Sequence, residues 1–505
     1  MTFSGIRGLL LAALALAFAA PARATWSIVV LNRETGELAV ATSTCISDFD
    51  ISRFVPVIRV GYAAGAAQSF VVSGAFNRRR IYRNSLRDAT PQQMLDLIER
   101  EDPGFELRQF GIVAFAGPPV THTGDDNGDF ANGVTGQVGP YDYAIQGNVI
   151  TGNNVILDCE AAFLATNGDL GQKIVAAMEA ARDAGGDGRC SCLPNDPTGC
   201  GSPPPSFTYG SFNAFMAIAR LGDTDAPCLA ASGCASGDYY LRFNYSGNDQ
   251  TQEPIAWLRD EYTTWRAGQI GRPDHVLTEV TSSVPVLQAD GLTTNRVTVR
   301  LRDIDDNPLA GGGQTVSVFR SGGDDVAQVA NLVDNLDGTH SFDLVATTTS
   351  GDATFRIFVD DGIRPVQLYP DLSVSSSAAS ELHVGRSSYS AAAGDAVPLI
   401  VDRGTADAGA DYRILGSFSG TQPGTSVGGV LVPLNRDRVF DFTLTWGGAD
   451  PFVGNAGVLD ANGRAEAAFS PRPGSLTGFV GSTMAFSAVV GGQTATAPAT
   501  LLIGP

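Results

Sequence analysis

The sequence predicts a multidomain protein in which a layered α+β domain comes first and two all-β domains follow. At 505 residues the chain is too long for a single hydrophobic core, so two to four domains are expected. Apolar runs typical of strands stand before and after a pair of helical segments within residues 25–267, which favours layers of sheet and helix. Beyond Ala267 the pattern changes to short strands separated by glycine, proline and aspartate.

The first domain opens with a predicted hairpin. Residues 26–31 and 37–42 are rich in β-branched and apolar side chains, and the turn between them ends in Gly36. Because both strands are apolar along nearly their whole length, they predict a sheet that is covered on both faces. Residues 55–68 predict a second pair of strands, whose small residues at 63–67 let neighbouring backbones approach closely.

The helices of this domain carry their own start and stop signals. Thr90 and Pro91 supply a cap and a first-turn proline for a helix that runs to about Glu101. A helix over residues 170–184 ends at a pair of glycines. The other predicted elements are strands at 109–115 and 141–146 and a helix at 155–165.

Residues 1–24 have the form of an export signal. Arg7 gives a charged start, residues 8–20 are apolar, and Ala22-x-Ala24 is the small-residue pattern after which signal peptidase cleaves. The apolar run is shorter than the ~20 residues of a membrane-spanning helix, and no later segment is long enough either. We therefore expect a soluble, exported protein that is extracellular, periplasmic or at the cell surface, without a transmembrane segment.

Cleavage after Ala24 would make Thr25 the first residue of the mature protein. An N-terminal threonine combines a nucleophile with a base, because its Oγ attacks a carbonyl while its α-amine, with a reference pKa of about 7.7–8.0, takes the proton. Two alternatives stay open. In the first, Thr25 is the N-terminal residue but has no catalytic role. In the second, cleavage after Ala22 leaves Arg23 and Ala24 in front of Thr25, which blocks the mechanism unless they are trimmed.

Composition narrows the classes of function. The formal net charge of −20 argues against nucleic acids and anionic membranes as partners, because proteins that bind them need a basic face. Lys173 is the single lysine, which excludes Ser–Lys or Schiff-base chemistry at any other lysine. We assign no cofactor and no metal ion to the protein.

The seven cysteines fit an oxidising compartment. Disulfides are favoured over a zinc site because the cysteine-rich insertion has no histidine nearby. The simplest pairing is Cys228 with Cys234, and the odd number leaves at least one thiol free or paired between chains. The other five are Cys45, Cys159, Cys190, Cys192 and Cys200.

Seven short motifs follow one another along residues 25–267. They are Thr25-Trp26-Ser27-Ile28-Val29, Val55-Pro56-x-x-Arg59-x-Gly61, Arg108-Gln109-x-Gly111, His122-Thr123-Gly124, Tyr143-Ala144-Ile145-Gln146-Gly147-Asn148, Ala184-Gly185-Gly186-Asp187-x-Arg189 and Glu253-Pro254-Ile255-Ala256-Trp257-Leu258-Arg259. Together they resemble the DUF1028 family, which is placed in the N-terminal-nucleophile (Ntn) hydrolase superfamily. The resemblance implies a four-layer αββα sandwich with Thr25 as the nucleophile on the first strand and a helix that closes the domain.

The sequence departs from the family pattern in two places. An insertion at residues 190–205 follows the Gly-Gly-Asp-x-Arg motif, and residues 125–129 form an acidic stretch. In that stretch Asp125, Asn127 and Asp129 alternate in the manner of calcium ligands, although a solvated turn is the simpler interpretation because no bidentate glutamate follows.

Chemistry at Thr25 needs an oxyanion stabiliser, a group that keeps the α-amine neutral and a partner that orients the hydroxyl. Gly147 and Asn148 are candidates for the oxyanion site, through a backbone N–H and a side-chain amide, or else they form a plain strand-ending turn. Three further residues are candidates for the other two roles. Arg59 lowers the pKa of the amine or pairs with a carboxylate, and Ser43 and Gln68 are candidate hydrogen-bond partners.

His122 is the only histidine within residues 25–271, so a Ser–His–Asp triad would have to use it. The surrounding residues 121–124 lack the pattern of a nucleophile elbow. We therefore predict a structural role for His122.

The all-β region divides into two predicted modules. Ala289-Asp290-Gly291 and Asn307-Pro308-Leu309-Ala310-Gly311 flank a strand and resemble the invasin/intimin group of bacterial immunoglobulin-like domains, which implies a spacer at residues 276–372. Serine-rich residues 373–380 predict a linker. Residues 381–505 predict a second β-sandwich, with strands that include 439–446 and 484–490.

Two functions from different classes follow from this organisation. The first is an exported hydrolase of amide bonds in small molecules or peptides, formed by residues 25–271 with Thr25 as nucleophile. The second is a catalytically inactive exported adhesive or structural protein that keeps the Ntn fold, since a fold alone does not carry a function. In both, the C-terminal β-domains are candidates for contact with a cell surface or polysaccharide.

Overall fold

The computed structural model describes residues 25–128, 130–247, 252–284, 286–289, 291, 293–378, 381–394 and 396–505. The predicted export signal, Asp129 of the acidic stretch and Asp290 lie outside the described residues. The chain separates into two compact units, one formed by Met1–Val276 with Asp303–Asp305 and the other by Leu277–Arg302 with Asp306–Pro505. The first combines helices and strands, whereas the second is rich in β-structure. Across the described ranges, no helix has the length and apolarity that crossing a membrane requires.

The described part of the first unit contains ten strands and six helices. The strands are β1 (Thr25–Asn32), β2 (Leu38–Thr44), β3 (Pro56–Arg59), β4 (Ala63–Ser69), β5 (Arg108–Ala114), β6 (Val120–Thr123), β7 (Ala131–Val138), β8 (Tyr141–Asn148), β9 (Asn213–Ala219) and β10 (Leu241–Ser246). The helices are α1 (Phe76–Asn84), α2 (Pro91–Glu101), α3 (Asn154–Ala165), α4 (Leu170–Asp183), α5 (Gly188–Ser191) and α6 (Pro254–Ala267).

The strands form two antiparallel sheets, and β1 lies near the middle of the larger one. The six-stranded sheet has the order β10-β9-β2-β1-β8-β7, and the four-stranded sheet has the order β3-β4-β5-β6. Side chains alternate along β1, so that Ile28 and Val30 pack against helices while Val29 and Leu31 pack against the four-stranded sheet. The predicted hairpin of β1 and β2, covered on both faces, is therefore confirmed.

The helices cover the two outer faces. Helices α3, α4 and α6 share a core with the six-stranded sheet, and α1 and α2 share another with the four-stranded sheet. A third core lies between the sheets. Gly65 of β4 faces α1 instead, where a Cβ would stand 3.2 Å from the Gly111 carbonyl oxygen and 3.4 Å from Ile81. The unit is thus layered as helix, sheet, sheet and helix.

Helix caps account for the boundaries that the sequence predicts best. Helix α2 begins with a capping box in which Gln93 N donates to Thr90 Oγ1 and Thr90 N donates to Gln93 Oε1. Asp169 and Gln172 form a second capping box at the start of α4.

Helix α1 and strands β7, β9 and β10 are additional elements that the sequence patterns did not predict.

Lys173 in α4 is partly buried. Its ammonium stands 5.3 Å from the centre of the Tyr141 ring and donates to the Thr166 carbonyl oxygen. Burial lowers the pKa of Lys173 below its ordinary value.

The far end of the hairpin is closed by a buried ion-pair network. Arg220 Nε donates to Glu37 Oε1 at 2.7 Å, and Arg220 Nη1 donates to Asp274 Oδ2 at 3.1 Å. The guanidinium also lies over the Tyr240 ring, 3.4 Å from its centre. Because Asp274 belongs to this network, the first unit continues beyond residue 271.

Six of the seven cysteines form disulfides within the first unit. The pairing Cys228–Cys234 is confirmed, and the other bonds are Cys45–Cys190 and Cys192–Cys200. The cysteines of the insertion are therefore not available as zinc ligands. The free thiol is Cys159, which is buried against the helix-covered face, where burial raises its pKa well above the ordinary value.

The first half of the β-rich unit is a sandwich of two sheets around Val297, Phe342 and Phe355. Its strands are β11 (Glu279–Ser282), β12 (Val286–Ala289), β13 (Thr294–Arg300), β14 (Thr315–Gly323), β15 (Ala327–Asp334), β16 (Thr339–Ala346), β17 (Gly351–Asp360), β18 (Pro365–Gln367) and β19 (Leu372–Ala378). The sheets have the orders β11-β13-β16-β15 and β12-β19-β17-β14, with β18 beside β17. The prediction of a linker at residues 373–380 was wrong, because the serines alternate with Leu372 and Val374 and β19 pairs with β17 and β12.

The second half is another pair of sheets with its own core, which includes Leu399, Phe469 and Phe486. Its elements are β20 (Leu382–Val384), β21 (Ser388–Ser390), β22 (Val397–Asp402), β23 (Asp411–Ser417), β24 (Thr425–Val427), β25 (Val430–Val432), α7 (Arg438–Thr445), β26 (Phe452–Val453), β27 (Ala456–Val458), β28 (Arg464–Phe469), β29 (Thr483–Val490), β30 (Thr494–Ala495) and β31 (Ala499–Gly504). The predicted strand at 484–490 is confirmed as β29. The predicted strand at 439–446 was wrong, because Asp437 caps a helix there by accepting from Phe440 N.

Candidate functional site

Thr25 begins β1 and lies in the space between the two sheets. Residues 25, 27, 29 and 31 alternate along β1 and therefore share the face that is directed toward the four-stranded sheet. Thr25 is 3% exposed in the full-length chain. Asn148, the last residue of β8, stands directly opposite Thr25 in the antiparallel register and is fully buried. Side chains of directly opposed residues lie on the same face about 4.5–5.5 Å apart at their Cβ atoms. The structure therefore brings Thr25 and Asn148 together.

Gln68 connects Thr25 to the facing sheet. Its Nε2 donates to the Thr25 carbonyl oxygen at 3.0 Å and to Gln109 Oε1 at 2.8 Å. Ser27 Oγ donates to Gln68 Oε1 at 2.5 Å, so both ends of the amide are engaged. Gln109 Nε2 in turn donates to the Gly147 carbonyl oxygen at 2.9 Å. The network fixes the start of β1 relative to β4, β5 and β8.

A second hydroxyl supports the same strand end. Thr42 Oγ1 on β2 donates to the Trp26 carbonyl oxygen at 3.1 Å and stands 2.8 Å from Ser27 Oγ. All the side chains in this network are uncharged. Proton transfer at Thr25 therefore needs a base other than these groups, and an α-amine on Thr25 itself would meet that need.

A buried ion pair lies at the edge of the six-stranded sheet where β1 begins and β2 and β8 end. Asp187 is fully buried and accepts from the backbone N–H of Cys45 at 2.7 Å and from Arg189 Nη2 at 2.8 Å. Cys45 directly follows the end of β2, and Gly188 N donates to the carbonyl oxygen of Val149, which directly follows Asn148. The Cys45–Cys190 disulfide adds a covalent link between β2 and α5.

Gly186 explains why the segment before Asp187 can approach β1. A Cβ on Gly186 would stand 2.8 Å from the Trp26 ring, and its φ of +57° is one that side-chain-bearing residues rarely adopt. In the sequence, the glycine pair predicts the end of a helix and belongs to the Gly-Gly-Asp-x-Arg motif of the family resemblance. The signal for the motif's position was the glycine pair itself, since glycine is expected where a backbone must come close to another group.

Arg59 lies at the opposite end of β3 and β4 from Gln68. It pairs with Ala63 in the β3–β4 register, five residues before Gln68, which corresponds to about 16 Å along the strand. Its Nη1 contacts Asp225 at 3.2 Å and donates to the Tyr82 hydroxyl at 2.6 Å. Of its two interpretations, the structure shows the carboxylate pair.

Ser43 and His122 face away from Thr25. Ser43 is opposite Trp26 on the helix-covered face, and its Oγ contacts Ser211 Oγ at 2.7 Å. The His122 ring stacks on Phe105 at 3.9 Å between centres, on the face of the four-stranded sheet that α1 and α2 cover. Burial lowers the pKa of His122, opposed by a hydrogen bond with the Phe105 backbone.

Gly147 has a packing role in the structure. A Cβ at this position would stand 3.0 Å from Ile150 and 3.3 Å from Ile156, on the side of the sheet away from Thr25. Its backbone lies between Trp26 on β1 and Asn132 on β7 in the ladder. Of the predicted oxyanion pair, Asn148 is the residue that shares a face with Thr25.

The acidic stretch is organised by hydrogen bonds within the protein. Asn127 is buried, and its Nδ2 donates to the carbonyl oxygens of Gly124 at 2.7 Å and Arg108 at 2.8 Å. The backbone N–H of Asp125 donates to Glu106 Oε2 at 3.0 Å. Asn127 thus acts as a donor that shapes a turn, and no cluster of three or more metal-ligating side chains occurs among the described residues.

Comparison with family models gives two matches. The family of unknown function DUF1028 matches residues 25–192, and the model for domain 3 of invasin matches residues 276–367. Both resemblances predicted from the motifs are confirmed. Comparison with curated protein sequences finds no match.

The solved structures that match include a DUF1028 protein and two bacterial surface proteins. A DUF1028 protein from Silicibacter pomeroyi is 20% identical over 48% of this chain and 88% of its own, with a TM-score of 0.34. The adhesin InvE of Yersinia pseudotuberculosis is 18% identical over 45% of this chain and 58% of its own, with a TM-score of 0.19. Invasin, a bacterial integrin-binding protein, is 14% identical over 58% of this chain and 46% of its own, with a TM-score of 0.20.

Proposed function

We propose, with the DUF1028 match over residues 25–192 as the premise, that the mature protein is an amide-bond hydrolase whose nucleophile is Thr25. The observation that carries the proposal is the position of Thr25 at the start of a central strand, opposite Asn148 and held by Gln68 at its carbonyl oxygen. Removal of residues 1–24 would create an α-amine beside the uncharged network of Ser27, Thr42, Gln68 and Gln109. The layering of helix, sheet, sheet and helix supports an Ntn-type sandwich.

The reaction would proceed through an ester on Thr25. The α-amine takes the proton of Oγ as Oγ attacks the carbonyl carbon of the substrate, and the resulting ammonium gives that proton to the leaving nitrogen as the C–N bond breaks. Water, deprotonated by the same amine, then hydrolyses the acyl ester and restores the threonine. In this proposal the Asn148 side-chain amide donates to the oxyanion of each tetrahedral intermediate.

The second candidate is an exported adhesive protein in which the first unit is inactive. The observation that favours it is the match of residues 276–367 to domain 3 of invasin. Three disulfides and the predicted signal also support an exported or surface location, because disulfides persist in oxidising compartments. In this candidate the β-rich unit contacts a cell surface and Thr25 has no chemical role.

The mature N-terminus and covalent labelling decide between the two. We expect intact-mass measurement of the exported protein to give a form that begins at Thr25, and an amide-mimicking electrophile to add one label to it. Thr25→Ala deletes Oγ and should abolish the label, whereas the matched control Thr25→Ser keeps a hydroxyl and should retain it. A mature form beginning at Arg23, or equal labelling of Thr25→Ala, would contradict the hydrolase mechanism. Absence of labelling in every form would favour the adhesive candidate.

A further inference from the structure

Arg78 of α1 is a buried cation without a carboxylate partner. The residue is 2% exposed, and its Nη1 donates to the Phe54 carbonyl oxygen. Its Nε and Nη2 have no hydrogen-bond partner in the described part of the chain. A buried charge is strongly disfavoured unless an opposite charge or a full set of hydrogen bonds compensates it. Burial accordingly lowers the pKa of Arg78 to about 10, which still leaves the guanidinium protonated at neutral pH.

The carboxylate of Asp102, which contacts α1 through Asn77, is already committed. Asp102 accepts from Arg108 Nε at 2.9 Å, from Asn77 Nδ2 at 2.6 Å and from the backbone N–H of Gly104 at 2.9 Å. Although burial opposes it, these hydrogen bonds together lower the pKa of Asp102. Asp102 balances the charge of Arg108, so the positive charge of Arg78 remains uncompensated.

A small cavity adjoins the uncompensated guanidinium. It has a volume of about 10 Å³, and Arg78, Arg108, Asn77 and Gln68 supply its polar lining. A volume of that size corresponds to about one water-sized sphere, which leaves no room for a phosphate or a carboxylate-bearing molecule. The cavity therefore admits only a single small occupant, either a water or a monoatomic ion.

The start of α1 adds to the positive potential at the cavity. Helix α1 has nine residues, and its N-cap, Ala75, offers no side-chain acceptor to the first-turn N–H groups. Unsatisfied N–H groups and the helix dipole both favour an anion at this end of a helix. Asn77 and Arg78 belong to this first turn and both line the cavity. The helix end and the guanidinium therefore both contribute positive potential there.

We propose that this cavity is a binding site for a monoatomic anion, with chloride as the physiological occupant held by Arg78. The ion would accept from the Nε and Nη2 groups of Arg78 and would neutralise its charge within the protein. The site stands apart from the hydrolase proposal, because it rests on the charge balance around α1 and on no property of Thr25.

The test is the dependence of thermal stability on halide in the mature full-length protein. At constant ionic strength, replacing sodium gluconate by sodium chloride or sodium bromide should raise the Tm. The rise should follow the logarithm of the halide concentration above the Kd, by about 3–5 °C for each tenfold increase. Arg78→Met fills the same space without the charge and should abolish this dependence. The matched control Arg83→Met changes an exposed arginine of the same helix and should keep it.

Bromide diffraction gives a second measurement that does not depend on the folding of a variant. In crystals of the wild-type protein containing bromide, anomalous density should show one bromide in the cavity beside Arg78. A water in the cavity, or bromide only at the protein surface, would overturn the proposal. An equal halide response in the wild type and Arg78→Met would overturn it as well.

Discussion

The rate of electrophile labelling can distinguish the role of Asn148 from that of Thr25. Asn148→Ala leaves Oγ and the α-amine of Thr25 in place but removes the side-chain donor opposite them. We expect electrophile labelling of Thr25 to continue, slower by a factor on the order of 10²–10³ if the amide is the oxyanion donor. The rate of mass increase in a time course measures this effect.

Asn132→Ala is the matched control for that experiment. Asn132 lies on the neighbouring strand β7 opposite Gly147, and its Nδ2 donates to Asn153 Oδ1 at 2.7 Å, away from Thr25. Its labelling rate should equal that of the wild type. An unchanged rate in Asn148→Ala would remove Asn148 from the oxyanion site.

His122 gives a prediction about stability and pH. Burial lowers its pKa in the folded protein below the ordinary value of 6.5, so the unfolded chain binds the proton more readily. The stability that the neutral ring contributes is complete above pH 6.5 and is lost as the pH falls through the lower folded pKa. His122→Phe, which keeps a ring beside Phe105, should flatten the dependence of unfolding free energy on pH below 6.5. Urea titrations at several pH values measure this, and an identical slope in both proteins would contradict it.

The residues around Thr25 were only partly accessible to sequence analysis. Asn148 and Gln68 could be predicted as candidates because each lies at the end of a predicted strand. Ser27 and Gln109 could not, because their role depends on the distance between two sheets that no local pattern encodes. Arg59 is the reverse case, since its charge suggested a role near the amine and the β3–β4 register places it at the other end of the strand.

At the scale of elements, the Cys45–Cys190 disulfide should contribute most of the covalent stabilisation. It joins residues 145 apart in the sequence, whereas Cys192–Cys200 joins residues 8 apart. In the loop-entropy model, the longer loop gives the larger effect. The double variant Cys45→Ser/Cys190→Ser should lower the free energy of unfolding by about 2–5 kcal/mol. It should also slow labelling of Thr25, because the disulfide holds α5 and its N-cap Asp187 against the end of β2, beside the start of β1.

The matched control is Cys192→Ser/Cys200→Ser, which should lose less stability and label at the wild-type rate. Chemical denaturation and the labelling time course give the two measurements. Equal losses of stability and rate in the two double variants would show that the position of the long-range bond has no special importance.

Elements with a capping signal could be predicted from sequence, whereas elements defined by their partners could not. The capping box of α2 is local, and the helix begins at Pro91 as expected. Residues 439–446 are rich in aromatic and β-branched side chains, which favour a strand, yet the Asp437 cap and the burial of Phe440 and Thr443 one helical turn apart produce α7. Serine-rich β19 resembles a linker in composition, and its pairing with β17 decides its structure.

At the scale of the whole molecule, the first unit should fold and keep its chemistry without the β-rich unit. A fragment of residues 25–276 contains Asp274 and the buried Arg220 that it contacts. A fragment ending at residue 271 lacks that carboxylate, and the loss should reduce the free energy of unfolding by about 1.5–3 kcal/mol. Denaturation of the two fragments, with electrophile labelling of each, measures the difference. Loss of labelling in the longer fragment would make the β-rich unit part of the catalytic machinery.

The single lysine has a practical consequence for studying the N-terminus. A mature chain beginning at Thr25 would contain two primary amines, its α-amine and the Lys173 ammonium, which is held over the Tyr141 ring. An amine-selective acylating reagent can therefore form at most two amides, and a Lys173→Arg protein can form one. The rate of that single acylation as a function of pH would report the basicity of the terminal amine directly, without knowledge of any substrate.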